Sequence, residues 1–150
     1  MVCKPRVVVA CVTEQQGRFL LVEEIIQGTQ VINQPAGHLE HGESLIEAVK
    51  RETLEETGYY FEPTALLGVL LLNNKSDPER VFLRFTFTGD LLGQAENYQI
   101  DPDIIATHWL TPEEIAQHPR LSPRSDLVFQ SINLYKQGVR LPLDSLVFTE

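Results

Sequence analysis

The sequence predicts an α/β fold, a mixed sheet of the α+β kind held between helices as an α/β/α sandwich. Three observations predict it. Apolar and β-branched runs of strand length recur between Val7 and Leu110. One well-capped helix interrupts them between Ser44 and Gly58. A further helix closes the chain before Gly138. With 150 residues, 43% of them apolar, the chain has the size of one domain, residues 1–150, and enough apolar surface for a full core. No internal repeat, low-complexity segment or linker interrupts it.

Val7 to Val12 is a continuous apolar run, predicted as a strand buried on both faces. Glu14 to Gly17 turns the chain, and Arg18 to Glu23 returns as the second arm of a hairpin with the first strand. Gln27-Gly28-Thr29 is another turn. Val31 to Gln34 is short and extended, and Pro35 keeps it so. After the central helix, Pro63 breaks the chain and Leu66 to Leu72 forms a strand. Asn73 to Pro78 is a loop. Val81 to Thr88 alternates, with Val81, Leu83, Phe85 and Phe87 on one face and Phe82, Arg84 and Thr86 on the other. Gly89 to Asp103 reads as a loop, carrying Glu96, Asp101 and Asp103 as acids available to a site. Ile104 to Leu110 is a strand. Thr111 caps a short helix, with Pro112 at its first position and Glu114 completing a capping box. Ser125 or Asp126 starts the last helix, which turns Leu127, Val128, Ile132 and Tyr135 inward and stops at Gly138. The tail from Val139 returns as an extended arm.

The central helix breaks a local rule. Ser44 and Glu47 form a capping box, and Gly58 supplies the stop. Leu45, Ala48 and Val49 define an apolar face, whose continuation falls on positions 52, 55 and 56. Those positions hold Glu52, Glu55 and Glu56. Residues three and four apart repel when like-charged, by about 0.2–0.5 kcal/mol per pair. Two of the acids also crowd the C-terminal turn, where the helix dipole favours cations. Taken alone, such a run is a solvated acidic face. A divalent cation is the other reading: Mg²⁺ or Mn²⁺ takes oxygen ligands, and one turn can aim three carboxylates at one point. Arg51 stays protonated and is no general base. Glu47, four residues before it, is its expected ion-pair partner.

Spacing sharpens this. Gly37, five residues, Glu43, seven residues, then Arg51-Glu52-x-x-Glu55-Glu56-x-Gly58 resembles the signature box of the Nudix hydrolases, here residues 37–59. Seven fixed residues match by chance on the order of once in a million chains of this length. Thr53 departs from the pattern, which favours an apolar residue there. The segments Val7–Val12, Asn33–Glu40, Phe82–Phe85 and Trp109–Glu114 extend the likeness, most closely to a phosphatase branch. The resemblance implies the Nudix α/β/α sandwich and a Mg²⁺- or Mn²⁺-dependent hydrolase of a nucleoside diphosphate linked to another moiety. It implies that Glu52, Glu55 and Glu56, with the Gly37 carbonyl, hold one to three ions. It further implies that Arg51 orients the carboxylates, that Glu43 assists them, and that Glu52, Glu55 or Glu56 takes the proton. The branch implies nucleoside tri- and diphosphates and hydroxymethylpyrimidine pyrophosphate as substrates. Arg84, Arg6 and His38 are the candidates for substrate phosphate.

Composition bounds the partners. A net charge of −9 and a pI near 4.9 argue against long nucleic acid and anionic membrane surfaces. The expected partner is a small nucleotide or pyrophosphate, with the protein a monomer or a homodimer. Two cysteines, no signal peptide and no apolar run of about 18 residues point to the cytoplasm. Two other readings stay open: a nucleotide-sugar or dinucleoside polyphosphate pyrophosphohydrolase, and a non-catalytic nucleotide-binding regulatory module. Loss of box acids would mark the latter, and none is lost.

Overall fold

The computed structural model describes residues 1–150. In chain order the elements are β1 (Arg6–Val12), β2 (Glu14–Gln15), β3 (Arg18–Ile26), β4 (Thr29–Asn33), β5 (Ala36–His38), α1 (Leu45–Thr57), β6 (Tyr59–Leu72), β7 (Phe82–Gln94), β8 (Ile104–Leu110), α2 (Pro112–Ala116), β9 (Ser122–Pro123) and α3 (Leu127–Lys136). Short 3₁₀ turns occupy Pro78–Arg80 and Leu143–Ser145. No helix is long and apolar enough to cross a membrane.

The strands form two mixed sheets where one was expected. The first runs β5-β1-β7-β6, with β1 and β7 parallel. The second runs β2-β3-β4-β9, with β8 added on β3. The expected hairpin between β1 and β3 is therefore absent. The apolar run of β1 suits a central position between β5 and β7, and only the two-residue β2 pairs back onto β3. Gln16-Gly17 and Gln27-Gly28 each place two successive residues at positive φ, the conformation of a tight hairpin turn.

The first sheet lies between helices. Val9, Cys11 and Phe87 pack with Ala48 and Val49 of α1. On the opposite face, Val12 and Leu67 pack with Val128 and Ile132 of α3. This is the α/β/α layering. Two long strands correct the linear reading. Pro63 does not end β6, because β6 is an edge strand and the register shifts between Pro63 and Ala65, which is where proline is tolerated. Gly89 does not end β7 either. It pairs with Pro63, where a Cβ would overlap the Glu62 carbonyl, so the glycine lets β7 continue to Gln94. The loop is thereby shortened to 95–103. The tail does return: Leu141 exchanges backbone hydrogen bonds with Leu66 at 2.8 and 2.9 Å, and Leu143 and Leu146 pack against the core cluster that holds Phe61 and Leu66 of β6.

Candidate active site

Helix α1 forms as its sequence dictates. The Ser44 hydroxyl accepts from the Glu47 amide at 3.1 Å, and Glu47 accepts from the Ser44 amide at 3.0 Å. Gly58 closes the helix at φ 76°. The buried stripe differs from the expectation. It runs Ala48, Val49, Thr53, Glu56 and Thr57, so Glu52 and Glu55 flank it. Thr53 and Thr57 are buried because their hydroxyls donate to the carbonyls of Val49 and Thr53, at 2.8 and 2.6 Å. Thr53 is thus a packing variation that leaves the charged positions undisturbed.

Arg51 gathers the box acids. Its Nε and Nη2 donate to the two oxygens of Glu43 at 2.9 and 2.7 Å. Its Nη1 donates to Glu52 Oε1 at 2.8 Å and Glu55 Oε2 at 3.2 Å, and Nη2 also reaches the His38 carbonyl at 3.0 Å. The expected pair with Glu47 does not form, since Glu47 is engaged in the cap. Glu43 also accepts from the Glu40 amide at 2.8 Å and is held below the usual carboxylate range by Arg51. Glu43 therefore braces the guanidinium that braces the other acids.

Glu56 is set apart from this fork. It is 5% exposed, and its one protein donor is the Ala36 amide, 2.8 Å from Oε1. Burial pushes its pKa up to about 9, with Glu24, Glu52 and Asp101 adding to the shift. Burial likewise raises Glu52, against the pull of Arg51. Glycine at position 37 leaves room for the Glu52 carboxylate, which a Cβ there would displace.

Three carboxylates do not converge on one point here. Arg51 draws Glu52 and Glu55 to itself, and Ala36 holds Glu56. The donor set nonetheless fits a hard divalent cation. Glu52 Oε2, Glu55 Oε1 and Glu56 Oε2 each carry no hydrogen bond from the protein, and the strain of a buried, like-charged Glu56 carboxylate is relieved either by protonation or by a cation placed beside it.

The structure brings further residues here. Residues 95–103 cross the end of α1, with the Asp101 amide donating to the Glu55 carbonyl at 2.9 Å. The charge of Asp101 helps to raise Glu56. Glu24 and Arg124, paired at 3.3 Å, were not singled out from sequence. Neither lies in a motif, and only strand pairing brings them in. Burial raises Glu24, with Asp101 and Asp103 adding to the effect. His38 is exposed, against Phe82, and its pKa is lowered by partial burial and then by Arg6 and Arg124. Arg6 is exposed at the start of β1. Arg84 is neither an exposed strand residue nor a solvent-facing phosphate contact. It is 2% exposed, because residues on both sides of β7 are covered and α3 lies over it.

The family model described as the NUDIX domain matches residues 4–132. Phosphatase NudJ of Escherichia coli (strain K12) is 42% identical over 144 residues, covering 95% of this chain and 91% of that protein. A NUDIX hydrolase from Nitrosomonas europaea superposes with a TM-score of 0.89 at 44% identity, covering 97% of this chain and 98% of that one. The NUDIX domain of Shewanella oneidensis NrtR, solved complexed with ADP ribose, shares the fold alone: TM-score 0.68, 22% identity, 90% of this chain and 88% of that one. Sequence and fold together make this chain a member of the Nudix family, a hydrolase of phosphoanhydride bonds.

Proposed function

We propose that the chain is a divalent-metal-dependent phosphatase of small phosphoanhydrides: nucleoside tri- and diphosphates first, and hydroxymethylpyrimidine or thiamine pyrophosphate among the wider set. The observation that carries this is the carboxylate arrangement of α1, three acids that each keep one oxygen free while Arg51 or Ala36 fixes the other. Likeness to a phosphatase over 95% of the chain supports it.

Glu52, Glu55 and Glu56, with the Gly37 carbonyl, would hold one to three Mg²⁺ or Mn²⁺ ions. Bound there, such ions supply charge neutralisation of the pyrophosphate oxygens and a water of lowered pKa. The protein's own part is positioning and proton handling. Arg51 orients Glu52 and Glu55, Glu43 fixes Arg51, and one of Glu52, Glu55 or Glu56, left without an ion on its free oxygen, would accept the proton. The absence of a Cβ at Gly37 keeps the backbone against Glu52. The two cysteines are unpaired, in keeping with a cytoplasmic enzyme.

The test is phosphate and pyrophosphate release from nucleoside tri- and diphosphates, thiamine pyrophosphate, a nucleotide sugar and a dinucleoside polyphosphate, with Mg²⁺ and with EDTA. Turnover is expected only with the metal. Glu56→Gln should lower kcat by about a hundredfold or more while the protein stays folded. Full Mg²⁺-dependent turnover in both Glu52→Gln and Glu56→Gln would overturn the assignment.

A further inference from the structure

One wall of the site is acidic, and the wall beside it is basic. Arg84 on β7 is 2% exposed and donates only to neutral acceptors: Ser131 Oγ at 3.3 Å, Asn33 Oδ1 at 2.9 Å and Gln34 Oε1 at 3.0 Å. It makes no ion pair. Burial first, and then the charge of Arg124, bring its pKa down to about 9. A buried cation without a counter-ion is destabilising, the mirror image of the crowded glutamates on α1. An anion placed close by would relieve it.

Strand pairing decides where. β9 runs parallel to β4, with Val31 beside Ser122 and Ile32 beside Pro123. The next rung is the Arg124 amide, which donates to the Ile32 carbonyl at 2.9 Å, so Arg124 stands beside Asn33. Its guanidinium contacts Glu24 at 3.3 Å, yet the side chain is 39% exposed and free to turn to another partner. The Asn33 amide is also poised. Arg84 occupies its Oδ1, and its Nδ2 hydrogens have no acceptor in the protein. Arg6 adds a further positive charge nearby, since Arg6 and Arg124 both disfavour protonation of His38, whose imidazole stays neutral. Three residues beyond Asn33, the Ala36 amide binds Glu56, so this basic corner opens beside the carboxylates.

We propose that Arg124 and Asn33, held by Arg84 from behind, form a subsite for a phosphate monoester, so that the enzyme selects substrates with an unesterified terminal phosphate over those esterified at both ends. Resting on the hydrolase reading above, this narrows the substrate class. A terminal phosphate carries about −1.5 to −2 at neutral pH, whereas an esterified one carries about −1. Arg124 and the two Asn33 hydrogens can grip its spare oxygens. Arg84 touches no solvent. It is a positioning residue, fixing the Asn33 amide and lending its field.

The experiment compares a nucleoside triphosphate with the same compound methylated on its terminal phosphate, in wild type, Arg124→Gln and Arg124→Lys. Wild type should favour the free end about tenfold in kcat/KM, the scale of one charge-assisted contact. Arg124→Gln should remove that preference by raising KM for the free-ended substrate alone, and Arg124→Lys should restore part of it. Equal effects on both substrates, or no preference in wild type, would overturn the subsite. Should wild type turn over neither compound, the hydrolase reading fails instead. Calorimetric binding of inorganic pyrophosphate then decides the subsite: weaker binding by Arg124→Gln upholds it, and unchanged binding ends it.

Discussion

Glu23 and Glu56 are both buried glutamates, and their neighbours drive them apart. Glu23, 2% exposed, accepts from Arg120 Nη1 at 2.9 Å and contacts His108 Nε2 at 2.9 Å. The Arg120 hydrogen bond holds its pKa below the ordinary value of 4.5. Glu56 has only an amide donor and acidic neighbours, and rises. A depressed carboxylate contributes stability that is present above its unfolded pKa and is lost as pH falls through the folded one. Melting temperature should therefore drop as pH is lowered below about 4.5, and Glu23→Gln should flatten that branch of the profile relative to wild type. An unflattened branch would assign the acid sensitivity elsewhere. Neither partner of Glu23 was legible in the sequence, because Arg120 lies 97 residues away and His108 lies 85. Arg51 is different, since its role follows from the box. Lysine at 51 cannot reproduce the two-pronged grip on Glu43. Arg51→Lys should lower activity about 10–100-fold and raise the Mg²⁺ concentration for half-activation. In a double-mutant cycle with Glu43→Gln the losses should not add, and additive losses would show that the two act separately.

Helix α1 was legible almost to the residue, because capping boxes, helix stops and i,i+4 neighbours are local chemistry that a linear pattern records. What the pattern did not give was the hydroxyl back-bonding that buries Thr53 and Thr57 and moves Glu52 to the flank of the stripe. Strand ends were harder. Pro63 and Gly89 looked like breaks, and instead they face each other across the β6–β7 ladder, where the missing Cβ of Gly89 leaves room for the β6 backbone. Two glycine substitutions separate these element-scale roles. Gly37→Ala should push Glu52 aside and lower kcat by about a hundredfold with little loss of stability, as expected for a displacement near 1 Å at a site. Gly89→Ala should do the reverse, destabilising the fold by about 1–3 kcal/mol in urea titrations through overpacking against Glu62, with turnover per folded molecule unchanged. If Gly89→Ala melts like wild type, the ladder yields at that rung.

For the whole molecule, the sequence announced helices on either side of a sheet but not that the strands divide into two sheets. Pairing between segments tens of residues apart leaves no mark on local periodicity. The basic corner built from Arg84, Asn33 and Arg124 was hidden for the same reason, although Arg84 already stood out as a lone charge in an apolar strand. The tail belongs to this scale too. Truncation after Arg140 removes the Leu66–Leu141 bridge and the packing of Leu143 and Leu146, and should lower stability by about 2 kcal/mol in urea while leaving the box residues in place. An unchanged unfolding midpoint would show the tail to be merely draped on the surface. The parallel pairing of β1 with β7 reaches further still. Arg6 is made well before its partner Phe82, since the whole of β2 to β6 is synthesised between them. At about 5–20 residues per second, Val7–Val12 waits on the order of 4–15 s on the ribosome for the strand that will cover it. Until then the newborn polypeptide holds an apolar strand with one edge lacking its parallel partner. The yield of active enzyme in a growing cell should therefore respond to chaperone supply and translation speed, before any substrate is met.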